Sequence, residues 1–207
     1  FYLGEGSSMY QRPFEDPDRL PRLLDAATSE MVARGAPAGL RFAPIEVQSF
    51  SAGYGAVREL LKRDEWQERI ERIVLADSLY ASLTTVTLEG AAPGDGSTVE
   101  PRQLLLPDPD QMAPFVCFAD RARTTPGRQF LLVHCEMEIR SYASTRRTAD
   151  YLIGAMETRD RCESASPLPV PPPGSPFGFK RQCSIGGFHV WGYEGVDGKA
   201  HMAIART

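Results

Sequence analysis

Ser51 lies in SFSAGYGAVREL, residues 49–60, between an extended run and a helix-like run. A serine hydroxyl becomes a useful nucleophile when a tight strand-to-helix turn holds it exposed. Such a turn needs small residues two positions before and two after the serine. Here those positions hold Ser49 and Gly53. Gly55 and Ala56 keep the next helical turn slim, so the helix is expected to pack close to the strand. The new helix would point the positive end of its dipole at the site. The N–H of Ala52 would then be one donor to a developing oxyanion. An ordinary serine at a helix N-cap accounts for much of the same local pattern without chemistry.

A serine nucleophile needs a base, and the base needs an orienting acid. The three histidines are His134, His189 and His201. His134 lies inside the apolar run QFLLVHCEME and reads as a satisfied core histidine. His189 sits in the alternating run GGFHVWGYEG. His201 follows VDGKA, a flexible stretch that can bring an imidazole over the turn, so it is the candidate base. Asp77 ends the short apolar run RIVLAD and is the candidate acid. Glu136 and Glu138 leave the next strand at the same edge and are its rivals. Ligand chemistry in open α/β sheets gathers at the C-terminal strand ends. Phe50, Tyr54 and Tyr80 flank the site, either as an apolar groove or as core packing.

Elements that would position these residues follow from periodicity. A helix is expected over 18–34, where Leu20, Leu23, Leu24, Ala27 and Met31 recur at helical spacing. A strand is expected over 41–50, a helix over about 52–63 and a strand over 72–77. Residues 78–107 read as a long irregular insertion. A helix over 108–123, a strand over 129–138 and a helix capped by Ser144 come next. The Pro-rich insertion at about 163–180 excludes helix and central strand. It precedes a final strand over 186–195. About five strands alternating with helices predict one α/β domain over 1–207 with a mostly parallel sheet.

Composition narrows the partners. Lys and Arg total 23, Asp and Glu 27, and the net charge is −4, with no basic run for nucleic acid. No apolar run is long enough to span a membrane. The four cysteines, Cys117, Cys135, Cys162 and Cys183, fit no zinc spacing, so no metal site is expected. Cys162 and Cys183 flank the Pro-rich stretch. They either form a disulfide in an oxidising compartment or remain thiols. The opening FYLGEGSSMY, without Met and in mid-strand, reads as a processed or truncated product. The compartment stays open, and an extracytoplasmic one follows if a signal peptide was removed.

With turn, strand-end acid and late histidine in order, the chain resembles the α/β-hydrolase superfamily, and within it poorly characterised bacterial hydrolases. The resemblance rests on GSSMYQRPF, SFSAGYGAVRE, VLADSLYASL, SYASTRRTADYL and FHVWGYEG…AHM. It implies a three-layer α/β/α sandwich and a serine hydrolase, carboxylesterase-like, working through an acyl-enzyme. It maps the nucleophile onto Ser51, the base onto His201 and the acid onto Asp77. Ala52 and Tyr54 fall at the oxyanion and substrate-binding positions. It implies a small-molecule ester as partner and no cofactor. The chain departs from the superfamily in two ways. Ser49 stands where glycine is usual, and the first strands with their His-Gly oxyanion loop are absent. GEGSS, Gly4 to Ser8, is the local substitute, or the early strands lie in a missing segment or a partner chain. An amidase, peptidase or acyltransferase would use the same triad. A non-catalytic binding module on this scaffold is the reading from another class.

Overall fold

Apolar runs such as QFLLVH need cover on both faces, which a central strand of a helix-flanked sheet provides. The computed structural model describes residues 8–42, 44–88, 102–156 and 178–205. In chain order, α1 (Arg12–Glu15) and α2 (Arg19–Ala33) precede β1 (Ile45–Phe50). A 3-10 turn, Ser51–Gly53, leads into α3 (Tyr54–Leu61) and α4 (Asp64–Arg69). Next come β2 (Ile70–Ala76), β3 (Leu83–Leu88), β4 (Arg102–Pro107) and α5 (Pro109–Thr124). The remaining elements are β5 (Gln129–His134), α6 (Thr145–Ala155), β6 (Phe179–Ile185), β7 (Phe188–Tyr193) and α7 (Gly198–Ile204).

The main sheet has the order β1-β2-β5-β7-β6. Its first four strands are parallel, and β6 runs antiparallel to β7. The fold is therefore α/β, with a mixed and mostly parallel sheet. Alternation along β5 divides the core. Phe130 and Leu132 join the large cluster formed with α3, α4, α5 and α6. Leu131 and Val133 face a smaller cluster with Ala200 and Ile204 of α7. Helices thus cover both faces of the sheet.

Register decides what the strand ends can do. Phe50 pairs with Ala76, and Ala76 with Val133. The parallel strands therefore stop level with one another, and Ser51, Asp77 and Cys135 emerge along one edge. At the opposite edge the β6–β7 turn needs glycine. Gly186 has φ +57°, and a Cβ there would sit 2.1 Å from the Arg123 carbonyl oxygen. Only a residue without a side chain fits.

Several sequence expectations need correction. The stretch 78–107 is not an irregular insertion throughout. β3 and β4 pair antiparallel from Leu83–Pro107 to Leu88–Arg102. The β-branched LTTVTL favours a strand, and the Gly- and Pro-rich residues between the two strands hid the pairing. The described residues hold seven strands rather than about five. β6 was missed because it follows directly on the Pro-rich stretch. The helix expected over 52–63 divides into the 3-10 turn, α3 and a separate α4. The strand expected over 129–138 ends at His134. Gly55 keeps its helix slim for Gln11, whose Cβ would lie 3.0 Å from an added Cβ, rather than for β1. Cys183 is disulfide-bonded and Cys117 and Cys135 are free; Cys162 lies outside the described residues. Gly4 to Ser7 and most of the Pro-rich stretch also lie outside them. No helix among the described residues is long and apolar enough to cross a membrane.

Candidate functional site

Ser51 and Asp77 are the two non-glycine residues with positive φ among those described, at +51° and +44°. A residue with a Cβ pays roughly 1 kcal/mol or more for that conformation. It persists where neighbours over-determine it. At Ser51 the neighbours are visible. The Ser78 hydroxyl donates to the Ser51 carbonyl oxygen at 2.8 Å and also bonds the Ser49 hydroxyl. A Cβ added to Gly53 would lie 3.1 Å from Ser49 Oγ. The small residues on both sides of Ser51 are thus required by a close approach across the turn.

Asp77 is fixed by the next strand. Its N–H donates to the Val133 carbonyl at 2.7 Å, and its side chain is fully buried. Four donors meet the carboxylate. Oδ1 accepts from Thr145 Oγ1 and from the Cys135 N–H at 3.3 Å. Oδ2 accepts from Cys135 Sγ at 3.0 Å and lies 2.6 Å from His201 Nδ1. Burial pushes the Asp77 carboxyl up, but the bonds from His201, Thr145 and Cys135 outweigh it and hold the group below its ordinary value. Burial, with the Asp77 charge beside it, pushes the Cys135 thiol up to about 12, so it stays protonated and donates. Burial likewise pushes the Tyr80 phenol up, and its hydroxyl donates to the Asp77 carbonyl at 3.2 Å.

His201 sits on α7, which Asp197 caps by accepting from the N–H groups of Lys199 and Ala200, each at 3.0 Å. Its ring stacks on Phe50, with centroids 4.6 Å apart and planes 25° apart. With Nδ1 donating to Asp77, Nε2 is left as the acceptor. Ser51, Ala52, Tyr54, Tyr80, Met137, Tyr142 and His201 line one pocket of about 300 Å³. None of these lining residues is a lysine, arginine or carboxylate. Tyr80 meets Tyr54 and Tyr142 edge-on, each with centroids 5.4 Å apart. Ser51 and His201 share this pocket without a hydrogen bond between them; such contacts often tighten only with substrate bound.

The rival residues lie elsewhere. Glu136 is paired with Arg146 at 3.0 Å and Lys180 at 3.1 Å. Glu138 accepts from Ser144 Oγ at 3.4 Å. His134 is fully buried, donates from Nδ1 to the Cys135 carbonyl at 3.0 Å and accepts from Arg181 Nε at 2.9 Å. Burial, aided by Arg181, pushes its imidazole down to about 4. His189 bonds the Ser184 hydroxyl at 3.0 Å. Sequence reading missed Thr145, Cys135, Ser78, Met137 and Tyr142. The one signal for Thr145 and Tyr142 was their place in SYASTRRTADYL. Among the described residues no His/Cys/Asp/Glu cluster could hold a metal ion. No family model, curated protein or solved structure matches the chain.

The arrangement can take a proton at His201 Nε2 while a buried anion supports the other ring nitrogen. It offers a hydroxyl on a strained turn in the same pocket as that acceptor, with Tyr54, Tyr80 and Tyr142 lining it.

Proposed function

We propose that the chain is a serine hydrolase of the α/β-hydrolase type that cleaves carboxylic esters. The observation that carries this reading is the 2.6 Å contact between Asp77 and His201, in a pocket shared with the strained Ser51. The order serine, acid, histidine, with the serine on a strand-to-helix turn, supports it. Ser51 Oγ attacks the ester carbonyl while His201 Nε2 takes its proton. Asp77 holds the imidazole in the productive tautomer and stabilises its charged form. The Ala52 N–H, at the start of the turn, donates to the oxyanion. Collapse of the intermediate passes the proton from His201 to the leaving alkoxide and leaves an acyl group on Ser51. Water, deprotonated by the same histidine, then releases the acid. The uncharged lining suits a neutral acyl group of modest size, with Tyr54 beside it.

Backbone strain at Ser51, in one pocket with the imidazole that Asp77 holds, favours catalysis over a binding module on the same scaffold. Turnover of short-chain p-nitrophenyl esters tests the proposal. Wild-type protein should hydrolyse them, and folded Ser51→Ala should not. Equal rates in both would overturn it.

A further inference from the structure

The stretch SYASTRRTADYL supplies Tyr142 to the pocket and Thr145 to the Asp77 carboxylate, and it is clamped onto the segment that carries Asp77. Residues 77–81, Asp77 to Ala81, are all buried. The Ala143 N–H donates to the Ala81 carbonyl at 2.8 Å, and Thr148 Oγ1 donates to the Leu79 carbonyl at 2.8 Å. Between them, Thr145 Oγ1 donates to Asp77 Oδ1. Thr145 opens α6, whose N-terminal Ser144 hydroxyl accepts from the Arg147 N–H at 3.4 Å. From the other side Cys135 reaches both carboxylate oxygens, one with its N–H and one with its thiol.

We propose that Thr145 and Cys135 are positioning residues, holding both oxygens of Asp77 so that one stays aimed at His201. The proposal rests on the reading of Asp77 as the acid that orients a general base. A fully buried carboxylate is costly unless its lone pairs are met. His201 meets only one of them. Without the other donors the carboxylate can turn about its Cβ–Cγ bond or take up a proton, and in either state it no longer supports the imidazolium. Thr145 suits the task because its branched side chain is stiff at χ1 and fully packed. The titratable groups facing Asp77 are His201 from α7, Cys135 and His134 at the end of β5, and Tyr80 from its own segment.

The test compares kcat/KM against pH for Thr145→Val and Thr145→Ser, using p-nitrophenyl acetate, beside Ser51→Ala. Thr145→Val should lose about 10- to 100-fold, the worth of a hydrogen bond to a charged group. Its acid limb should move to higher pH. Deprived of a donor, Asp77 takes up a proton at higher pH, and once protonated it no longer supports the imidazolium. Thr145→Ser should restore both rate and limb. An unchanged rate and limb in Thr145→Val, with Ser51→Ala inactive, would overturn this proposal alone. Full turnover in Ser51→Ala would overturn the reading of the site and this proposal with it. If Thr145→Val does not fold, Cys135→Ala and Cys135→Ser replace it. The alanine should move the limb upward and the serine should not; an unmoved limb in Cys135→Ala overturns the proposal.

Discussion

Asp77 Oδ2 lies 2.6 Å from His201 Nδ1, joining the end of β2 to a helix 124 residues further along the chain. The His201 ring that makes this contact stacks on Phe50. If Asp77 orients the base, Asp77→Asn should cut ester turnover by about 10⁴-fold, the usual loss for an orienting acid. Glu136→Gln and Glu138→Gln should stay near wild type, since Glu136 is tied to Arg146 and Lys180. Steady-state rates of the three variants decide between them, and a loss confined to Glu136→Gln would move the acid there.

The backbone of Ser51 supplies a second prediction. At φ +51° a Cβ is strained, so glycine should be easier to accommodate than alanine. Ser51→Gly should be more stable than Ser51→Ala by about 1 kcal/mol, although both lack the hydroxyl. Urea unfolding of the two variants measures the difference. Equal stabilities would show that the turn stores no strain at this position.

His134 makes stability depend on pH. Its folded-state value is pushed down to about 4 from an ordinary 6.5, so between these the unfolded chain binds a proton that the folded chain refuses. Stability should be full above about pH 6.5, fall as the pH drops and level off near pH 4 for this group. The loss should be on the order of 3 kcal/mol. The facing groups are Arg181 from β6, Glu136 and Asp77. Asp77, held below its ordinary 3.8, acts in a lower window: its contribution is present above that value and lost as the pH falls through its lowered one. Unfolding free energies from pH 8 to 4 check the window, and His134→Gln should flatten the slope.

Tyr142 sits at the pocket mouth, 39% exposed, with its ring edge against Tyr80. Tyr142→Ala should open the pocket toward longer acyl chains. The ratio of kcat/KM for an octanoyl ester to that for an acetyl ester should rise about tenfold. An unchanged ratio would place the acyl group elsewhere.

The serine turn was legible in sequence because its constraints are local. Ser49 and Gly53 must both be small, and both lie within two residues of Ser51. Asp77 and His201 were legible as polar residues placed at the end of an apolar run and after a final strand. The donors to Asp77 were not. Thr145 and Cys135 lie 68 and 58 residues from it; Cys135 meets it because β2 and β5 are neighbours, and Thr145 because its segment bonds to Leu79 and Ala81. The β3–β4 pairing was hidden for the opposite reason: turn-forming residues between the strands dominate the local pattern. α4 was hidden because DEWQER buries little beyond Trp66 and Gln67.

Reaction with a fluorophosphonate probe, followed by peptide mass spectrometry, identifies the nucleophile. A single adduct on Ser51 of the folded protein, lost in His201→Ala, is the predicted result. No adduct on well-folded protein, or an adduct on another serine, would contradict it.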